Sequence, residues 1–233
     1  MLETRFFNET VFILGGGNSL TAEIAARVRG KATIVINSTA RLAPWAEVLF
    51  FMDWPWFRDH RPIVDAWPTD VVTTNARAAK VLPGRVILAQ SPQVQSKLLS
   101  SGHHAVDVAI AMGAAKVVLL GFDCRIIGGR SNNHDDYWHQ KDALYRDVFL
   151  PMWAEYPTRA AAAGVEIVNA SPGSLIDVFP QITLDRVLGS DIRVGSNEIG
   201  LPDWRLEGPN FGLVNHSRPR EGRVATTPKK GAG

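Results

Sequence analysis

Ser101-Gly102-His103-His104-Ala105-Val106-Asp107-Val108-Ala109-Ile110-Ala111-Met112-Gly113 runs directly into Ala114 to Cys124. In the first part, Val106, Ala109, Ile110 and Gly113 recur at helical spacing, and Ser101 can accept a backbone N–H at the helix start. Gly113 supplies the left-handed residue on which helices commonly end. Lys116-Val117-Val118-Leu119-Leu120 is then a continuous apolar run, as a strand covered on both faces of a parallel sheet requires. Gly121-Phe122-Asp123 closes it. That places a carboxylate just past the strand's C-terminal end, where open α/β sheets bind ligands.

Two more segments share this build. Thr10 to Leu14 is an apolar run leading into Gly15-Gly16-Gly17-Asn18-Ser19, with a helical pattern from Leu20 to Val28. Ala32 to Ile36 runs into Asn37-Ser38-Thr39. Three buried-type strands that each end in small polar residues predict one shared crevice. The glycines let backbone approach a ligand closely, and the following helix offers unpaired N–H groups to an anion. The loop is neither GxGxxG nor a P-loop, since no Gly-Lys-Ser/Thr follows. A plain tight strand–helix turn accounts for it about equally well, with Ser19 serving as an N-cap.

Composition narrows the classes. At 233 residues and 45% hydrophobic content the chain can bury one full core. With 25 basic against 23 acidic residues, net charge points to no partner. A single cysteine, Cys124, precludes an intramolecular disulfide and fits a reducing cytosol. No apolar run reaches the roughly 18 residues of a membrane span, and no basic-then-apolar signal segment opens the chain. The expectation is a cytoplasmic α/β protein.

Elsewhere, Leu49 to Met52 is a further apolar run ending in Asp53, with Trp54, Trp56 and Trp67 nearby. Those aromatics either stack on a base or sugar or pack a small core of their own loop. Val71 to Asn75 and Arg85 to Ala89 read as short strands around a helical turn at Ala76 to Val81. Arg125 to Lys141 is polar and glycine-rich, a loop at the sheet end that commonly carries chemistry. A helical pattern returns over 142–163, bent by Pro151 and Pro157. Val165 to Ala170 is the last strand, and Ser171 to Leu175 is expected to turn into a short helix. Beyond about 190 apolar periodicity fades among four prolines. Over 205–233 six basic residues face two acidic ones, giving a basic, partly disordered tail able to touch a nucleic-acid backbone or a partner.

The candidate residues converge on one edge. Gly15, Gly16, Gly17, Asn18, Ser19, Asn37, Asp53, Ser101, Gly102 and Asp123 all fall at strand ends or helix starts. Together they suit a nucleotide: glycine backbone for phosphate, Asn37 for base or ribose, the Ser101 helix as a second anion site. His134 or His139 would overhang as a general base, because imidazole titrates near neutral pH. His134, Asp135, Asp136 and His139 also include metal-ligand types, but with one cysteine and no HExxH no metal site is assigned.

These residues resemble a known series. Leu14 to Leu20, Asn37, Ser101-Gly102 with Ala109 to Gly113, Leu120 to Asp123, and Ala170-Ser171-Pro172-Gly173-Ser174-Leu175 look like the Rossmann-like superfamily that joins bacterial CMP-sialic-acid-dependent sialyltransferases to 6-hydroxymethylpterin diphosphokinase. Arg41 to Trp45, Phe51 to Asp53 and His134 to His139 look most like its small, uncharacterised bacteriophage and prophage members. The resemblance spans about 10–188. It implies a Rossmann-like, mostly parallel sheet, nucleotide held by Gly15–Ser19 and Asn37, and Ser101, Gly102 and Ser174 around its phosphates and base. It also implies a histidine base after the Gly-Phe-Asp segment, here His139.

The expected organisation is therefore one Rossmann-like domain over 1–190 and an extended tail over 191–233. The expected function is a nucleotide-dependent group transferase, glycosyltransferase-like, acting on a nucleotide-activated sugar. Two other classes stay open. One is a diphosphokinase-like enzyme carrying ATP phosphates on Mg held by Asp53 or Asp123. The other is a phage-encoded protein that sequesters a nucleotide without turnover, working in the host cytoplasm. Donor, acceptor, metal and oligomeric state, including a homo-oligomer, are left undetermined by sequence.

Overall fold

The computed structural model describes residues 2–89, 100–136 and 141–189. The chain divides into two units, Met1–Asp191 and Ile192–Gly233. The second unit, and with it the expected basic tail, lies outside the described residues.

Seven strands build the first unit: β1 (Thr10–Leu14), β2 (Thr33–Ile36), β3 (Val48–Phe51), β4 (Asp70–Thr73), β5 (Val86–Leu88), β6 (Lys116–Leu120) and β7 (Glu166–Asn169). They form a single sheet in the order β5-β4-β3-β2-β1-β6-β7, and every pairing is parallel. The chain steps outward from β1 to β5, then returns to lay β6 on the other side of β1. Strand order reverses there, so the β1–β6 boundary is the switch point at which such sheets open a crevice.

The apolar runs follow from burial on both faces. Val11 and Ile13 join one core cluster with Ile34, Val48 and Phe50, while Phe12 and Leu14 join the other with Val35, Leu49 and Phe51. Successive side chains alternate between faces, so a strand covered twice is mostly apolar, and its buried polar residues, Thr33, Thr73 and Asn169, stand at strand ends.

Helices supply the covers. On the first face α5 (Ser101–Ala111) lies against β1, β2 and β3. Residues His103 to Ala109 of α5 are buried without interruption, so the helix sits between the sheet and a further layer. That layer is a helical stretch broken into α6 (Asp142–Leu144), a π-turn (Tyr145–Phe149), α7 (Leu150–Met152), a 3-10 turn (Trp153–Glu155) and α8 (Tyr156–Ala162). Pro151 and Pro157 stand in the first turns of α7 and α8, where a missing N–H costs nothing.

The second face is covered by α1 (Ala22–Ala26), α2 (Trp54–Asp59), α3 (Arg61–Ala66) and α9 (Leu184–Val187), with α4 (Ala76–Val81) between β4 and β5. Trp56 and Trp67 are buried here, and Trp56 Nε1 donates to Ser38 Oγ at 2.8 Å. These tryptophans thus pack α2 and α3 on the sheet rather than stacking on a ligand.

Three local expectations are corrected. The N-cap of α5 is Ser100, whose Oγ accepts from Gly102 N–H at 3.2 Å. Ser101 begins the helix with its hydroxyl turned to other use. Thr21, not Ser19, caps α1, because Ser19 is bonded to Asp123. Ser171 to Leu175 is a turn, and the next helix is α9. Asn169 Oδ1 and Ser174 Oγ accept N–H groups within the segment, from Ser171 and Ile176, which favours a turn over a helix.

Candidate functional site

A cleft of about 180 Å³ opens at the C-terminal ends of the strands. Its floor comes from the switch point. Gly15 N–H donates to Leu120 O and Gly17 N–H to Gly121 O, both at 2.8 Å, stitching the loop after β1 to the end of β6. A Cβ at Gly15 or Gly17 would stand 2.7 or 2.6 Å from Gly121 O. Those two glycines are therefore required by backbone packing. At Gly16 a Cβ would meet only Asn132 Oδ1 at 3.2 Å and His134 Nε2 at 3.5 Å, across the cleft mouth.

Asp123 is 2% exposed and accepts Ser19 N–H at 2.9 Å on Oδ2 and the Ser19 hydroxyl on Oδ1. Burial raises its pKa, while the bonds from Ser19 and the charge of Arg125 pull the other way. Its carboxylate thus fixes the glycine loop, and its oxygens are already engaged. Cys124 next to it has φ +49°, a left-handed conformation held in a non-glycine residue. This twist carries the chain on to Arg125, which lines the cleft. The Arg125 guanidinium occupies the place a Cβ at Gly173 would take.

The β2–β3 end is different in character. Asn37 also adopts a left-handed φ of +50°, is 7% exposed, and lines the cleft. Its Nδ2 donates to Ser101 Oγ at 3.3 Å, but its Oδ1 is buried with no partner. Asp53 follows β3 at the N-cap of α2 and makes no side-chain cap bond. Burial raises its pKa, opposed by the charge of His104. Ser101 and Gly102, at the first turn of α5, close this side.

A loop after β6 forms the roof. Asn18 Nδ2 donates to Arg130 O and Asn133 N–H to Gly16 O, each at 2.7 Å, so the roof is tied to the glycine loop. His134 is held from behind by Asp136, whose backbone N–H donates to Nδ1 at 3.4 Å. Asp136 in turn accepts from Arg41 and contacts His60 Nε2 at 3.2 Å. Burial acts against ionisation of Asp136, yet the bonds from Arg41 and Ser38 hold it down at about 2. Burial lowers the pKa of His134 more than Asp136 raises it, so the ring is neutral near pH 7. With Nδ1 accepting, the proton sits on Nε2, the nitrogen nearest Gly16.

The remaining wall is aromatic: Phe122, Tyr145, Phe149 and Trp153. Two of these come from the ends of the π-turn, which brings residues four apart onto the cleft side, and π-turns are frequent at functional sites. Tyr145 hydroxyl donates to Ser131 O at 2.9 Å, bracing the roof.

Of the residues expected from sequence, Gly15, Gly16, Gly17, Asn37, Asp53, Ser101, Gly102, Asp123 and His134 line one cleft. Asn18 and Ser19 lie behind it as ties. Ser174 does not line it: its hydroxyl donates to Phe122 O at 2.6 Å and accepts from Asn169 at 2.8 Å. His139 lies outside the described residues. Sequence reasoning missed Arg125, Asn132 and the aromatic wall; of these only Arg125, two residues past Asp123, carried a local signal. Among the described residues no three His, Cys, Asp or Glu side chains gather as a metal centre. With Asp123 engaged by Ser19, Asp53 is the cleft carboxylate left for a cation.

No family model and no curated protein matches this chain. Among solved structures, the sialyltransferase CST-II in complex with trisaccharide acceptor and CMP is similar at TM-score 0.50 and 16% identity, over 75% of this chain and 86% of that one. A variant of the same enzyme in complex with CMP shares 14% identity over the same proportions, at TM-score 0.49. The chain thus has a sialyltransferase-like fold, an α/β parallel sheet flanked by helices.

Proposed function

We propose that the protein is a nucleotide-dependent group transferase of the glycosyltransferase kind, acting on a nucleotide-activated sugar. The observation that carries this is the cleft at the β1–β6 switch point, floored by three glycines and reached by the first turn of α5. Phosphate would lie over Gly15–Gly17 and Gly102, with Arg125 as its cation. The likeness in fold to a structure holding CMP and an acceptor sugar supports the same use of this edge.

In the reaction, an acceptor hydroxyl attacks the anomeric carbon, and the bond from that carbon to phosphate oxygen breaks. The electron pair leaves on the nucleotide phosphate, and the hydroxyl proton passes to a base. Neutral His134, with its proton on Nε2, can stabilise the leaving phosphate through a hydrogen bond without giving up that proton. His139 is then the base. A positioned base is typically worth about 10² to 10⁴ in rate, and a hydrogen-bond donor aimed at developing charge about 10² to 10³. Ser174 acts indirectly, by holding Phe122 in the wall.

Calorimetry with CMP, UDP, GDP and ATP, with and without magnesium, tests the proposal, followed by donor hydrolysis with the nucleotide that binds. We expect binding at millimolar affinity or better and slow hydrolysis that His134→Ala reduces at least a hundredfold. No binding of any nucleotide ends the proposal. Binding without turnover leaves a sequestering protein, and turnover of ATP alone with magnesium leaves a diphosphokinase.

A further inference from the structure

Taking that donor-binding role as the starting point, we infer that the β2–β3 end of the cleft receives an uncharged, hydroxyl-rich sugar ring, and that a donor whose sugar carries a carboxylate is disfavoured.

Asp53 carries most of this. An aspartate at an N-cap ordinarily spends its carboxylate on the N–H of the second or third helical residue. In α2 the second residue is Pro55, which has no N–H, and no cap bond forms to any other. The carboxylate lines the cleft instead. Among the described residues it has no hydrogen bond or ion pair, only the nearby charge of His104. An ionised carboxylate accepts hydrogen bonds and donates none. Asn37, at the end of the neighbouring strand, repeats the pattern with a buried Oδ1 that lacks a donor. Two acceptors without donors, on adjacent strand ends, call for a ligand that brings donors.

A carboxylate on the ligand would meet Asp53 as a like charge in a half-buried site, where screening by solvent is weak. The arginines among the described residues in reach are engaged elsewhere. Arg41 is bound to Asp136, Arg77 lies 3.7 Å over the ring of Trp54, and Arg125 follows β6 on the far side of β1. Among the described residues only the charge of His104 faces this end, and it is already set against Asp53. A neutral ring with several hydroxyls satisfies both acceptors.

UDP-glucose and UDP-glucuronic acid differ only by a carboxylate and make the matched probe, titrated by calorimetry in the presence of a chelator. The expected result is at least tenfold weaker binding of the glucuronic acid donor. Asp53→Asn should bring the pair within about threefold. Asp53 makes no side-chain cap bond that the substitution would remove, so the fold should hold; Asp53→Ser serves if it does not. Equal affinities in the wild type, or a ratio untouched by both substitutions, overturns the inference while nucleotide binding stands. If only cytidine nucleotides bind, CMP and CMP-sialic acid replace the pair, and tighter binding of the sialic acid donor overturns it. Magnesium that raises nucleotide affinity more than tenfold through Asp53 makes Asp53 a cation ligand, and also overturns it. Failure of every nucleotide to bind would instead remove the donor-binding role itself.

Discussion

Gly16 and Gly17 are neighbours in sequence but face different surroundings. A side chain at Gly17 would press into Gly121 O and the Asp123 carboxyl, whereas one at Gly16 would project only toward Asn132 and His134. Gly16→Val should therefore keep the melting temperature within a few degrees and abolish nucleotide binding in calorimetry. Gly17→Val should destabilise the fold itself, visible as a large drop in melting temperature. Equal stability of the two variants would contradict this. His103 offers a second residue-scale test. It is stacked on Trp153 at 3.8 Å with both ring nitrogens buried and unpartnered. Burial, helped by the charges of His104 and Arg159, lowers its pKa to about 3. The unfolded chain thus binds this proton more readily than the folded one. Stability from neutral His103 is complete above about pH 6.5 and is lost as pH falls toward 3. His103→Phe should gain on the wild type by about 1.4 kcal/mol for each pH unit below 6.5, read from urea melts at pH 7 and 4.5. A constant difference would mean the ring does not titrate as argued.

Between elements, the buried Asp107 of α5 accepts from Arg159 Nη2 of α8 at 2.7 Å. Burial raises Asp107 to about 6 against the pull of Arg159. The Tyr156 hydroxyl of α8 donates to His103 O at 3.0 Å, making a second tie between the same helices. Arg159→Met keeps much of the stem's packing and removes the charged bond, so it should cost about 2 kcal/mol. It should also loosen the wall that Trp153 presents to the cleft. Asp107 works in the opposite sense to His103: its neutral form is favoured in the fold, so its contribution is present below about pH 4 and lost as pH rises to 6. Denaturation at pH 7.5 checks the cost, and an unchanged midpoint would show the pair contributes nothing. Element boundaries were only partly legible from sequence. The serines at 100 and 101 are equivalent as N-caps on propensity, and only the bond from Gly102 to Ser100 selects one. Trp54 to Ala66 carried no clear helical period, since the helices there are six residues each and are held by burial against the sheet.

At the scale of the whole chain, the described residues within 2–189 hold both core clusters, while the sequence beyond about 190 loses apolar periodicity among four prolines. A chain ending at 189 should fold alone and melt within a few degrees of the full protein by calorimetry. A large loss of stability would place structural contacts beyond residue 190. The sequence by itself determined the strands, their burial on two faces and the helix over 101–111, because an unbroken apolar run between glycine-rich turns has few other solutions in water. It also determined that glycines, Asn37, Asp53 and Asp123 lie at strand ends, since each falls within three residues of an apolar run's end. Tertiary structure decided what those ends do. Strand order brings β1 beside β6, so Asp123 is used up on Ser19 while Asp53, set before a proline, is left facing the cleft. It likewise placed Arg125 and the rings of Tyr145, Phe149 and Trp153 around that space. Recruitment of the rings depends on the helical crossover between β6 and β7 packing on α5 and on a π-turn, and side chains distant in sequence meet only once such packing has fixed the path of the chain.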